Sequence, residues 1–172
     1  MKEKVKARVA ELKALAIQLY PQIAKKHQFK SMKVGVAQFI KGRSDTGEEA
    51  FFSQQSGVEW HVLGEGFTWD TQDRERDIEK ARAGWEVARN MLANPEIKLI
   101  VLDELTYTFS LGYLDLAQVL DDIAARPPMQ HVVVTGRGAP QALLDTADTV
   151  TELMDVKHAW RAGIKAQPGI DL

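Results

Sequence analysis

Three apolar stretches of this 172-residue chain end in groups suited to phosphate or metal. KVGVAQFIKG closes on Lys41, IKLIVLDELTY turns polar at Asp103 and Glu104, and HVVVTGRG closes on Thr135 and Arg137. A hydrophobic strand that ends in two acids is an arrangement that holds Mg²⁺ beside a nucleotide phosphate. Arg137 stands between Gly136 and Gly138. Glycine permits close backbone approach, and a guanidinium pairs with phosphate oxygens. The competing reading is structural: the acids cap Thr106 or pair with Arg137.

A second group is Gly64-Glu65-Gly66-Phe67-Thr68-Trp69-Asp70-Thr71. Two glycines make a flexible loop, and Phe67 and Trp69 on it suit a flat apolar ligand face. The plainer alternative is that both rings pin the loop to the core. A third group, Asp155-Val156-Lys157-His158-Ala159 with Gly163, Lys165 and the closing Gln167-Pro168-Gly169-Ile170-Asp171, is basic and turn-rich and reads as a solvated tail. His131 opens a candidate strand and reads as structural.

These groups need a scaffold that brings strand ends together. Four candidate strands are visible in KVGVAQFIKG, GVEWHVLG, IKLIVLDELTY and HVVVTGRG. Near-continuous apolar runs such as IKLIVL and HVVV suit strands buried on both faces, hence a parallel sheet. Helical periodicity separates them. Residues 71–93 carry Ile78, Ala81, Trp85, Ala88 and Leu92 on one face, with Thr71 as N-cap and Asp73 and Glu75 in the first turn. Residues 114–125 carry Leu116, Val119, Leu120 and Ile123, and Pro140 opens a short helix over QALLDTA. Near the start, Val5, Val9, Leu12, Ala16 and Leu19 share a helical face, which Pro21 ends or kinks. Strands alternating with helices predict an α/β fold with a mainly parallel sheet flanked by helices. Ligands of such sheets sit at the carboxyl ends of the strands, so Lys41, Asp103-Glu104 and Thr135–Arg137 are expected to share one crevice.

Composition narrows the classes. Net charge is -2, which argues against a generic nucleic-acid binder. There is no cysteine, so disulfides and thiolate chemistry are excluded. The four histidines are too scattered to read as a metal cluster. No apolar run approaches the roughly 20 residues of a membrane span, and the charged N-terminus MKEKVKARVAELK does not read as a signal peptide. A cytoplasmic protein is expected.

VGVAQFIKG, GFTWDTQDRE, LIVLDELTY, VVVTGRG, ADTVTEL, VKHA and KAQPGID follow one another in this chain. In that order they resemble the bacterial, P-loop-type ATP:corrinoid adenosyltransferases of the cobalamin pathway. The likeness covers about residues 32–172, and KEKVKARVAE is similar to that family's N-terminal helix. The resemblance implies a P-loop NTPase-like (RecA-like) sheet, a homodimer, and an electron-donating flavoprotein reductase as partner. It implies transfer of the 5′-deoxyadenosyl group of ATP to the cobalt of a reduced corrinoid, with Mg²⁺ as cofactor and triphosphate released. Cobalt(I) is then the nucleophile and attacks the ribose C5′. Phe67 and Trp69 match the loop aromatics that pack on the corrin and favour a cobalt without its lower ligand. Asp103 and Glu104 match the acidic pair at the metal and nucleotide, and Lys41 and Arg137 match positions near the nucleotide.

One departure stands out. The family carries a Gly-rich Walker A loop of the type GNGKGKTT ahead of the strand equivalent to KVGVAQF, whose N–H groups, Lys and Thr hold phosphates and Mg²⁺. Here the first glycine is Gly35. Between Ala10 and Lys33 stands only ELKALAIQLYPQIAKKHQFKSM, about a dozen residues shorter than the family's equivalent. ALAIQLY can stand in for the missing first strand, and Lys25 and Lys26 can lie near the phosphates. The expected organisation is therefore an N-terminal helix with an atypical segment over 1–31, then an adenosyltransferase-like α/β domain over 32–172. Loss of the strand and loop is expected to lower stability or promote association, because neighbouring ladder groups lose their partner. Two functional readings follow: an adenosyltransferase with weakened ATP binding, or a non-catalytic corrinoid-binding relative.

Overall fold

The computed structural model describes residues 32–39, 47–64 and 74–165. Four strands form one sheet: β1 (Lys33–Gln38), β2 (Val58–Val62), β3 (Ile97–Asp103) and β4 (His131–Val134). Their order is β2-β1-β3-β4, and every neighbouring pair is parallel. The parallel α/β architecture expected from the sequence is thus present, consistent with a P-loop NTPase-like fold. Among the described residues five helices connect or follow the strands: α1 (Gly47–Phe52), α2 (Arg74–Ala93), α3 (Thr106–Ser110), α4 (Leu116–Ala124) and α5 (Gln141–Thr146). A short 3₁₀ turn covers Ala159–Ala162.

The strand period of two sorts the core into two layers. Ile100 and Leu102 of β3, with Ala37 of β1, face Trp85, Ala88, Met91 and Leu92 of α2 and Val119 of α4. Leu99 and Val101, with Val34 and Val36, face Phe52 of α1. This is why IKLIVL reads as one unbroken apolar run: successive side chains enter different cores. The periodic face expected over 71–93 is the face α2 buries, and Trp85 is 3% exposed. Its indole Nε1 donates to Asp122 Oδ2 at 2.8 Å, a carboxylate that also receives Arg89 Nε at 3.1 Å. Trp85→Phe keeps the ring and removes the donor. It is expected to destabilise the fold by about 1–2 kcal/mol, read as a drop of a few degrees in melting temperature.

The start of α4 follows capping chemistry. Asp115 is the N-cap of α4, and its side chain accepts from Gln118 N–H at 2.9 Å. Pro140 occupies the N-cap position of α5. Helices α1 and α3 have no counterpart in the sequence reading, because six and five residues are too few to show a period. The solvated-tail reading fails at His158, which is 4% exposed, and Arg161 pairs with Asp155 at 2.7 Å beside it. The N-terminal helix, the 1–31 segment, the Thr71 cap and residues 166–172 lie outside the described residues.

Among the described residues β4 pairs on one side only, with β3. Its Val133 is 39% exposed. No described helix is long and apolar enough to cross a membrane.

Candidate active site

Parallel register decides what meets at the carboxyl end of the sheet. Gln38 of β1 stands opposite Asp103 of β3, and Leu102 stands opposite Val134, one residue before Thr135. Three strand ends therefore deliver polar groups to one spot. Thr135 Oγ1 donates to Asp103 Oδ1 at 2.6 Å. Gln38 Nε2 donates to Asp103 Oδ2 at 3.1 Å. Both oxygens of this carboxylate, whose residue is 5% exposed, thus accept from neutral donors.

Glu104 follows immediately and leaves the strand in a left-handed conformation, φ 58°. A non-glycine residue there carries roughly 1–3 kcal/mol of strain, which persists where surrounding contacts enforce it. The contact here is the Glu104 N–H, which donates to Thr135 Oγ1 at 3.1 Å. The turn lets the chain reverse at once into α3. That helix receives no side-chain cap, so the acids do not cap it, contrary to the structural alternative raised above.

Arg137 reaches the same end through the turn after β4. Its carbonyl accepts from Thr106 Oγ1 at 2.8 Å. Gly136 has φ 142° and passes so close to Thr106 that a Cβ would lie 1.9 Å from its Oγ1. The Tyr107 phenol reports the local field. Its pKa is raised chiefly by burial, Glu104 adds to the rise, and Arg137 opposes it. Asp103, Glu104 and Arg137 thus stand near one another at the carboxyl end of the sheet. Lys41, Phe67 and Trp69 lie outside the described residues. A shallow cleft of about 320 Å³ opens beside the carboxyl end of β2, lined by Val62, Leu63, Gly64, Lys80, Ala83, Gly84 and Val87. It does not include Asp103, Glu104 or Arg137.

The donor set suits a hard cation. Magnesium takes one or two carboxylates and completes its shell with water and substrate phosphates. Two adjacent acids at a strand end match that need. Among the described residues no group of three or more His, Asp or Glu side chains forms a protein-only metal cage.

Three contributors escaped the sequence reading. Gln38 and Trp60 were counted only as strand residues, and Tyr107 was not singled out. For Gln38 a signal exists: it is the one polar residue inside the apolar run VGVAQF, at the level where β3 turns acidic.

Comparison with known proteins agrees with this geometry. The family described as ATP:corrinoid adenosyltransferase BtuR/CobO/CobP matches residues 23–172. The chain is 62% identical over 141 residues to the corrinoid adenosyltransferase of Pseudomonas aeruginosa, covering 81% of this chain and 70% of that protein. It is 50% identical over 138 residues to the corrinoid adenosyltransferase CobA of Salmonella typhimurium, covering 80% and 70%. The Escherichia coli corrinoid adenosyltransferase is 49% identical over 139 residues, covering 81% and 70%. A parallel sheet with an Asp-Glu strand end, a TGRG turn beside it, and this extent of identity have one common explanation: the chain belongs to the ATP:corrinoid adenosyltransferase family.

Proposed function

We propose that this chain transfers the 5′-deoxyadenosyl group of ATP to the cobalt of a reduced corrinoid, with its phosphate grip resting on side chains at the strand ends. The supporting observation is the convergence of Asp103, Glu104, Thr135 and Arg137 at the carboxyl end of a parallel sheet in a chain of this family. In this reading Asp103 and Glu104 hold Mg²⁺, Lys41, Glu104 and Arg137 hold the nucleotide, and Phe67 and Trp69 pack on the corrin. The chain works in the cytoplasm as a homodimer and takes electrons from a flavoprotein reductase.

The chemistry asks little acid–base work of the protein. The cobalt(I) lone pair forms the Co–C5′ bond, the C5′–O bond breaks, and triphosphate leaves with that electron pair. Bound Mg²⁺ offsets charge on the departing phosphates. Asp103, fixed on both oxygens, fixes where that charge is met. Arg137 supplies a permanent positive charge near the same oxygens. Phe67 and Trp69 orient the corrin face and exclude water from it.

The test is direct. Mg-ATP and reduced cobalamin are mixed with the full chain, and adenosylcobalamin formation is followed by absorbance. Turnover is expected, with half-saturation at a higher ATP concentration than for the Pseudomonas aeruginosa relative. The reason is the segment before Gly35, which has no glycine to wrap phosphate with backbone N–H groups. The same feature favours a second reading, a corrinoid-binding relative without turnover. Corrinoid binding that ATP leaves unchanged, with no product, selects it. Trp69→Ala separates the corrin face from the nucleotide. It is expected to weaken corrinoid affinity roughly 2- to 10-fold, the range for losing one aromatic contact, and to leave ATP affinity as it was. Equal corrinoid affinity in the two proteins overturns the role given to Trp69.

A further inference from the structure

Asp103 is held from β4 by Thr135, and from β1 by a longer chain of contacts. Gln38 is 4% exposed, and its amide has two ends with different partners. Nε2 donates to Asp103 Oδ2 at 3.1 Å. Oε1 accepts from Trp60 Nε1 at 3.1 Å. An indole N–H only donates and a carboxylate only accepts. The amide therefore has one orientation that satisfies both partners, and the Trp60 indole enforces it. Trp60 is itself fixed: its ring stacks on Phe52 of α1, with centroids 5.9 Å apart and planes 3° apart. Phe52 is 5% exposed and anchors α1 to the sheet.

We propose that Gln38, oriented by Trp60, is a positioning residue that sets the direction of the Asp103 carboxylate toward the cation accompanying ATP. The inference rests on the reading of Asp103 as a cation ligand given above. Thr135 fixes one carboxylate oxygen and Gln38 the other, so neither can rotate away without breaking a hydrogen bond. Gln38 acts through Asp103, as hydrogen-bond partners of metal ligands do elsewhere, where their loss weakens metal affinity about 10- to 100-fold.

The experiment uses the full chain, wild type, Gln38→Leu and Trp60→Phe. Mg²⁺ is titrated at a fixed high ATP concentration, and the midpoint is read from the rise in melting temperature and, separately, from the adenosylation rate. Gln38→Leu is expected to raise the half-effective Mg²⁺ concentration roughly 10- to 100-fold. Trp60→Phe keeps the ring on Phe52 and removes only the N–H, and it is expected to shift the midpoint in the same direction by less. Corrinoid affinity is expected to be unchanged in both. A purely structural role lowers the melting temperature without moving the Mg²⁺ midpoint, and that result overturns the proposal. Should Gln38→Leu fail to fold, Trp60→Phe decides alone. A wild type whose ATP-dependent stabilisation ignores Mg²⁺ overturns the cation reading of Asp103 and this proposal with it. A wild type that needs Mg²⁺, beside variants with the same need, overturns the positioning role only.

Discussion

Asp103→Asn is expected to slow adenosyl transfer by about 10²-fold or more and to lower the melting temperature by several degrees. The substitution preserves size, so the effect isolates charge and hydrogen-bond direction. The wild-type carboxylate accepts from Thr135 Oγ1 on one oxygen and from Gln38 Nε2 on the other. An amide offers one acceptor and one donor group. If its NH₂ faces Gln38, two donors meet, and flipping Gln38 brings its own NH₂ against the Trp60 N–H. If its NH₂ faces Thr135, the hydroxyl must give up its bond to Asp103 and send its hydrogen elsewhere. Either way one buried polar group loses its partner, at a cost of about 1–3 kcal/mol. On the proposed role of Asp103 as a cation ligand, activity falls further than stability because the negative charge opposite the cation is gone. Initial rates of adenosylcobalamin formation at saturating ATP check the first effect, and a circular dichroism melt checks the second. A variant that keeps its rate within threefold of wild type places the cation on other groups.

The sheet was legible because three of its four described strands announce themselves twice, by an apolar run and by the change of chemistry at its end. IKLIVL stops at Asp103 and HVVV stops at Thr135 for the same reason: both strands end at the same edge of the sheet, where their side chains hydrogen-bond to each other. The parallel arrangement followed from the apolar runs; IKLIVL is buried on both faces as expected, whereas HVVV is not, since His131 and Val133 are exposed. The adjacency of Asp103 with the TGRG turn follows once β3 and β4 are neighbours, which sequence alone leaves to topology rules. What was hidden is of two kinds. Helices α1 and α3 are shorter than two turns and show no period, and α3 begins after a left-handed Glu104 that no propensity foretells. Buried polar partners such as Gln38 and Trp60 carry their role in register, and register is fixed only when strands pair. His158 shows the opposite error. A polar residue among turn formers reads as solvated, yet it is buried, directly before the 3₁₀ turn Ala159–Ala162.

Gly136→Ala tests whether the turn that presents Arg137 is built around one missing methyl group. Gly136 has φ 142°, a region that L side chains rarely adopt, so an added Cβ strains the backbone by about 1–2 kcal/mol. The new carbon would lie 1.9 Å from Thr106 Oγ1, 3.0 Å from Thr106 Cβ and 3.2 Å from its backbone nitrogen. The hydroxyl alone can rotate away, but the Cβ and nitrogen belong to the start of α3 and cannot. Overpacking of this kind adds about 1–3 kcal/mol. The sum, roughly 2–5 kcal/mol, corresponds to a melting temperature lower by on the order of 5–20 °C for a chain of this size. Function is expected to suffer as well. Rotation of Thr106 Oγ1 removes its 2.8 Å bond to the Arg137 carbonyl, so the turn that carries Arg137 loses an anchor, and on the proposed role of Arg137 ATP affinity drops. Gly138→Ala is the matched control. Its φ of 62° also disfavours a side chain, but the nearest atom to a new Cβ is Ser110 Oγ at 3.8 Å. Strain without collision predicts a loss of about 1–2 kcal/mol and little change in ATP affinity. If the two variants melt and bind alike, the contact between Gly136 and Thr106 does not position Arg137, and the strand-end cation owes its place to something else.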